Sequence, residues 1–409
     1  MEVKEIELKG HIIDSFVLPK VFDTIMDLGG EFEVLQFEIG KKKDEPSYTR
    51  ILVKGKDIEH LDRILGELHK LGAKLPEVEA LEVEVATADR ALPRNFYSTT
   101  NHPTYVLVDE RWIEVRGMEM DKVIVVDVEK RKAVCKPISD VKKGDQIVMG
   151  KSGIRVEPPA RPRGYSVFEF MRSSVSSEKP TPSIVRQIAE EILQVKARGK
   201  KILVVSGPAV VHTGAAPALA GLIRDGYVDV LFGGNALAVH DIESQLYGTS
   251  LGLDISTNML AEGGHRNHLY AINEVMLAGS IRDLIKAGKI HSGVMYEAVR
   301  RGIPVVLAGS IRDDGPLPEV ITDVVKAQRE MRKHLKDVEL VLMLATTLHS
   351  ISVGNLLRSN VKTICVDINP ATATKLTDRG SAQALGIVTD VGAFLPMLAD
   401  ELAGRKSKK

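Results

Sequence analysis

The stretch from Glu339 to Leu402 constrains the fold more than any other part of the chain. Leu340-Val341-Leu342-Met343-Leu344 is an unbroken apolar run of strand length, the pattern of a strand covered on both faces. Ala345-Thr346-Thr347-Leu348-His349-Ser350 makes a turn. The spacing of Ile351, Val353, Leu356 and Leu357 then predicts a helix from Ser350 to Leu357, and Thr363 to Val366 resumes as a strand ending in Asp367. The unit repeats when Gly386-Ile387-Val388-Thr389 runs into Asp390, whose side chain is placed to cap a helix from Val391 to Leu402. An acid closing the second strand, about 20 residues past the first turn, is where a dinucleotide fold hydrogen-bonds the adenosine ribose. The turn itself departs from G-x-G-x-x-G. Thr346 and Thr347 stand where glycines usually do, so hydroxyls and N–H groups at a helix N-terminus would hold the phosphates. An ordinary buried crossover, with Asp367 capping a helix, accounts for the same pattern.

The rest of the chain agrees with an α/β reading. After the proline-rich linker Glu157 to Gly164, Thr181-Pro182 opens a helix with a buried stripe of Ile184, Ile188, Ile192 and Val195. Strands at Lys201 to Val205, Val228 to Phe232 and Ile303 to Leu307 alternate with helices up to the stretch above. That succession predicts a Rossmann-like, mostly parallel sheet covered on both faces, occupying 161–409. Residues 1–88 read instead as β-α-β-β-α-β, a ferredoxin-like plait. Strands are expected near Glu5 to Ile13, at Leu35/Phe37/Ile39 and at Ile51/Val53, and Leu81/Val83/Val85 is expected to close the sheet. Such modules pair subunits, which predicts a homo-oligomer. Residues 89–160 carry short strands such as Tyr105 to Val108 and Val123 to Val128, a small β-rich domain. It is entered through the polar loop Arg94 to Pro103, which either ties a domain junction or lines a polar site.

Composition bounds the partners. With Lys+Arg and Asp+Glu equal at 55 each, no global charge points to nucleic acid or an anionic membrane. Two cysteines, Cys135 and Cys365, with no C-x-x-C, suit a reducing cytosol. No signal peptide or membrane-length apolar run is visible.

Three polar turns follow strands of the predicted sheet and gather at the edge where open α/β sheets bind ligands: Gly233-Gly234-Asn235-Ala236, Gly309 to Gly315, and the Thr346/Thr347 turn. Asn235 has both donor and acceptor for a carboxamide, and Asp313 or Asp314 could take a ribose hydroxyl or an ammonium group. His265 and His268 add imidazoles. With no third ligand in sight and no H-E-x-x-H, a base or a substrate contact fits them better than a metal.

At Arg94 to Pro103, at Gly233 to Glu243 and at Ala345 to Ser350 the chain resembles the archaeal ornithine cyclodeaminase family, which also includes the C-terminal part of cyanobacterial arginine dihydrolase fusions. The resemblance implies tightly bound NAD, a small amino-acid substrate and conversion of L-ornithine to L-proline and ammonia. It assigns the cofactor to Asn235, Ala236, Asp313, Thr346, Thr347, Leu348, His349, Asp367, Asn369, Asp390 and Val391. Asp313, His265 and His240 are the candidate bases, with Asn101 and Arg94 for the substrate carboxylate. A net amino-acid or opine dehydrogenase and an NAD-sensing regulatory protein are the rival expectations.

Overall fold

The computed structural model describes residues 2–406 except 14, 43–44, 75–79, 159–174, 177–180, 256, 258, 260, 262–263, 314 and 379–383. The chain divides into two compact units. One comprises residues 1–171 with 355–359, the other residues 172–354 with 360–409.

The N-terminal unit begins with β1 (Glu2–Gly10), α1 (Val17–Asp27), β2 (Glu31–Glu38), β3 (Ser47–Gly55) and α2 (Ile58–Lys70). Its antiparallel sheet has the order β1-β3-β2. Every second residue of β3 is buried, as a strand with one covered face requires. Ile51 and Val53 meet Val21 and Ile25 of α1 and Ile64 and Leu68 of α2 in one apolar core. Asp57 caps α2 by accepting from His60 N at 2.7 Å, and the helix stops at Gly72, whose φ is 91°.

The expected closing strand of the plait goes elsewhere. Lys74 and Glu7 exchange backbone hydrogen bonds of 2.7 and 2.9 Å in a single bridge at the edge of β1. The strand β4 (Val83–Val85) instead joins β5 (Thr104–Val108), β6 (Arg111–Arg116), β7 (Val123–Asp127), β8 (Lys132–Lys136), β9 (Gln146–Val148) and β10 (Ile154–Val156). The seven-stranded order is β10-β5-β6-β8-β7-β9-β4, with β4 antiparallel to β9. Alternating residues in β5 and β10 face a core of Val106, Val108, Ile124, Val126, Val148, Ile154 and Val156.

The second unit carries β11 (Val175–Ser176), α3 (Thr181–Ala197), β12 (Lys201–Ser206), α4 (Ala209–His212), α5 (Ala216–Arg224), β13 (Val230–Gly234), α6 (Asn235–Tyr247) and the two-residue strands β14 (Thr249–Ser250) and β15 (Leu253–Asp254). It continues with α7 (Asn267–Ala278), α8 (Ile281–Lys286), α9 (Val294–Arg301), β16 (Val305–Ala308), β17 (Val320–Ile321), α10 (Val324–Lys333) and β18 (Val338–Leu344). Last come α11 (Thr347–Gly354), β19 (Lys362–Asp367), α12 (Pro370–Asp378), β20 (Ala384–Val388) and α13 (Val391–Lys406). The main sheet is wholly parallel in the order β11-β20-β19-β18-β12-β13-β16-β17. Its strands are apolar without alternation because both faces are covered, and Leu203, Leu231, Phe232, Leu340, Val341 and Ile364 are buried completely.

Counted from β12, the six long strands lie in the doubly wound order 3-2-1-4-5-6, so the chain reverses direction across the sheet between β12 and β18. The helix after β18 begins at Thr347, three residues earlier than its apolar spacing predicts, and ends at Gly354. Residues 355–359 belong to the other unit, where Met120 N donates to Asn355 O at 3.2 Å and Ser359 N to Asn101 O at 3.1 Å.

Candidate active site

The reversal point is built by close backbone contact. A Cβ on Gly207, in the turn after β12, would lie 2.1 Å from the carbonyl oxygen of Ala345, in the turn after β18. Gly207 N also donates to Leu344 O at 2.9 Å. Only glycine lets these two turns meet, and Ala345 itself adopts a φ of 48°. The next turn joins the same edge. A Cβ on Gly234 would lie 3.0 Å from Cε1 of His349, so the ring of His349 rests against the end of β13. Thr346 Oγ1 and His349 Nδ1 are 3.2 Å apart, and Thr347 Oγ1 meets Thr372 Oγ1 of α12 at 2.8 Å. Burial holds the His349 pKa below its ordinary value, with Asp313 pulling the other way.

Asp313 and Asn235 fix the third turn. Asp313 accepts from Ser310 N at 2.8 Å. The Asn235 side chain donates to Gly315 O at 3.2 Å and accepts from Leu317 N at 3.1 Å, so both ends of its amide are engaged by backbone. Ala236 follows it in the first turn of α6. Asp314 lies outside the described residues.

Asp367 ends β19 and is 8 % exposed, with Oδ1 accepting from Asn369 N at 2.9 Å. Asn369 in turn accepts from Ala371 N at 3.0 Å at the start of α12. Asp390 caps α13 through Gly392 N at 2.7 Å, and Val391 is buried as the helix's first residue. Three large apolar side chains stand bare just past the ends of β16, β18 and β19: Ile311, Leu348 in the first turn of α11, and Ile368 are 106, 75 and 74 % exposed.

A cluster of histidines occupies α4, α6 and α7. The rings of His212 and His240 meet edge to face with centroids 4.7 Å apart, and His268 lies 6.3 Å from His240. His240 Nδ1 is 2.7 Å from Glu243 Oε2. Glu243 is fully buried, and its other oxygen accepts from Thr249 Oγ1 at 2.8 Å, which accepts from Asn267 at 2.9 Å. His212 pairs with Ser250 Oγ at 2.7 Å, and burial together with the His240 ring pushes its pKa down to about 4. Sequence reasoning missed His212. Its position in the turn segment after the first strand of the sheet was the available signal. Among the described residues no three of His, Cys, Asp and Glu stand close enough to hold a metal ion. His265 sits in a short turn, Gly264–Arg266, and its side chain lies outside the described residues.

In the other unit, Arg94 is exposed on the turn that opens the polar loop, while Asn101 is 3 % exposed with Oδ1 lacking a partner. Between them Thr99 ties the loop down. Its hydroxyl donates to Glu119 O at 2.6 Å and accepts from Lys122 N at 2.9 Å.

The family described as "Arginine dihydrolase ArgZ-like, C-terminal, Rossmann fold" matches residues 186–398, and its "first region" matches 103–185. The "LOR/SDH bifunctional enzyme conserved region" matches residues 3–102. A protein of Methanothermobacter thermautotrophicus named ornithine cyclodeaminase is 57 % identical over 98 % of each chain. Its namesake in Methanocaldococcus jannaschii is 59 % identical over 98 % of this chain and 96 % of its own. The crystal structure of AgrE in a ternary complex with ornithine and NAD+ matches at 43 % identity with a TM-score of 0.55, covering 100 % of this chain and 58 % of AgrE. These matches run the length of a chain that already shows the doubly wound sheet and its acid-tipped strand, and the chain belongs to the archaeal ornithine cyclodeaminase family of enzymes.

Proposed function

We propose that this enzyme converts L-ornithine to L-proline and ammonia, with NAD held along the carboxyl edge of the parallel sheet. The observation that carries the reading is the company Asp367 keeps. Isolated exposed apolar side chains need no explanation, but Ile311, Leu348 and Ile368 all stand just past strand ends at one sheet edge, Ile368 directly after the acid-tipped strand and Leu348 after its neighbour β18. A ligand with flat, apolar rings at both ends and charge between them suits such an edge.

The donors fit the same ligand. The N–H groups that open α11 suit a pyrophosphate, with the hydroxyls of Thr346 and Thr347 beside them. Asp367 uses one oxygen on Asn369 N, which leaves the second for a ribose hydroxyl, and an acid there disfavours the extra phosphate of NADP. Asn235 acts by positioning the 315–317 backbone, and Asp313 by holding the turn that carries Ile311.

NAD, when bound, supplies the acceptor for hydride from Cα of ornithine and the donor that returns it after ring closure. The chain's own residues handle protons and water. His240, held at Nδ1 by the buried carboxylate of Glu243, presents Nε2 as the base that takes a proton from the substrate ammonium. Glu243 sets the tautomer and steadies the imidazolium that results. The substrate's δ-ammonium must likewise give up its proton before it attacks the imine carbon; once it is the free amine, position does the rest, because an intramolecular amine reacts at an effective concentration far above bulk. Water must be kept out, or the imine hydrolyses to a keto acid.

Incubation of the purified protein with ornithine and with lysine, followed by mass analysis of products, tests the reading. Proline and ammonia from ornithine, with NAD required only in catalytic amount, are expected. Accumulating NADH with a keto acid or secondary amine would assign an amino-acid or opine dehydrogenase instead. NAD binding with no product would assign a regulatory protein.

A further inference from the structure

The N-terminal unit contains a cavity of about 390 Å³ that the reaction above does not use. Its walls come from β1, α2, the Ala73-Lys74 segment and the loop from Gly150 to Arg155, all within that unit. That volume lies in the range of sites that take small metabolites.

Charge on the wall is one-sided. Among the described residues, Lys4, Lys74, Lys151 and Arg155 line the cavity against a single acid, Asp62, with Glu157 reaching Arg155 Nε at 3.1 Å from outside it. Two of these cations, Arg155 and Lys151, are held in place, while Lys4 and Lys74 are exposed. The guanidinium of Arg155 lies 4.6 Å over the ring of Tyr105 and 4.7 Å over that of Trp112. Lys151 descends onto α2 and donates to the carbonyl of Asp62, where Gly66 leaves room. A Cβ there would meet the ammonium nitrogen. The pKa values of Lys74 and Lys151 are both lowered, first by burial; Arg155 adds to the effect at Lys74.

The floor adds a neutral ring. His69 is 9 % exposed, stands edge-on to Tyr97, and has an Nε2 with no hydrogen-bond partner. Its ring bonds the Ala73 backbone, and burial pushes its pKa down to about 4, so the imidazole is neutral. A buried polar atom without a partner is costly, and this one is closed off from solvent, so a ligand in the cavity meets the flank of the His69 ring and not its Nε2.

We infer that this cavity is a second ligand site, for a small organic anion whose carboxylate or phosphate meets Lys74, Lys151 and Arg155. The site needs nothing from the NAD edge, so its test is independent of the proposed reaction.

Trp112 is the single tryptophan of the chain and lies on the cavity wall, so its fluorescence reports this site in the intact protein. Whole NAD-supplemented protein is titrated with malate, succinate, L-glutamate, AMP, inorganic phosphate and, as a cationic control, L-arginine. A saturable change is expected with a carboxylate or with a phosphate, weakening as salt is added, and none with arginine. Response to malate or glutamate alone would identify the group as carboxylate, and response to AMP or phosphate alone as phosphate. A Lys74→Ala/Lys151→Ala double variant should weaken binding by about tenfold or more, through loss of charge-assisted hydrogen bonds. Far-UV circular dichroism should confirm that the double variant folds. The inference is overturned if no anion gives a saturable change, or if the folded double variant responds as the wild type does.

Discussion

Asp367 and His240 make separable contributions, and substitution should separate them. With Asp367 changed to Ala, the ribose loses its acceptor and Asn369 N loses its partner at 2.9 Å. A hydrogen bond to a charged group is worth about 1.5–3 kcal/mol, so calorimetry should find NAD binding weakened roughly ten- to a hundredfold. Turnover at saturating NAD should fall much less. His240→Asn should do the reverse, leaving NAD affinity intact and lowering kcat by about 10²–10⁴. Glu243→Gln keeps an acceptor for Thr249 but removes the charge behind His240, and should shift the acid limb of the pH–rate profile. Equal loss of NAD affinity in all three variants would place the histidine in the cofactor site instead. Asp367, Asn369 and Asp390 were all legible as polar residues at strand ends, but sequence alone could not tell a helix cap from a cofactor contact. The same carboxylate geometry serves both, and the choice rests on which way the second oxygen faces. His212 was passed over for another reason: its place after the first strand of the sheet was a signal, but its partner Ser250 stands 38 positions away and no local pattern joins them.

At the scale of elements, the parallel sheet could be read from sequence because strands buried on both faces must be apolar throughout, and no other element of five residues looks the same. The closing strand of the plait could not. Leu81, Val83 and Val85 alternate in a way that suits the edge of either sheet, and the choice of β9 over β1 depends on a partner more than 60 residues away. The approach of the turns after β12 and β18 was likewise hidden, because nothing near Gly207 in the sequence points to Ala345. That contact gives a sharp test. Gly207→Ala places a methyl group against a backbone carbonyl, and overpacking of this kind costs about 1–3 kcal/mol. The turns must part to admit it, so Tm should fall and NAD affinity should fall with it. The same substitution at Gly404, which has open space around it, should leave both unchanged.

For the whole molecule, acid should destabilise both units, with one buried carboxyl resisting it in the second. His69 in the N-terminal unit and His212 in the other are both pushed down to about 4 from an ordinary 6.5, mainly by burial. A depressed histidine contributes stability that is present above pH 6.5 and lost as pH falls toward 4, because the unfolded chain takes up the proton first. Asp241 has the opposite sign. Fully buried, and accepting from Val294 N at 2.9 Å and Met295 N at 2.8 Å, it is raised from 3.8 to about 6, chiefly by burial. Its contribution is present below 3.8 and lost as pH rises through 6, since there the folded chain holds the extra proton. Between about pH 4 and 6 the proton balances of His212 and Asp241 cancel in the second unit, but His349, also depressed by burial, adds a slope of the same sign there as His69 does in the first. One uncompensated proton corresponds to about 1.4 kcal/mol per pH unit. Urea unfolding followed by Trp112, which reports the N-terminal unit alone, should therefore lose stability steadily on acidification. The NAD-binding unit, followed by cofactor protection, should lose stability as well, through His349, with Asp241 offsetting His212. Asp241→Asn should uncover the His212 slope and make the second unit the more acid-sensitive of the two, whereas an unchanged slope in that variant would show that Asp241 holds no extra proton in the folded chain.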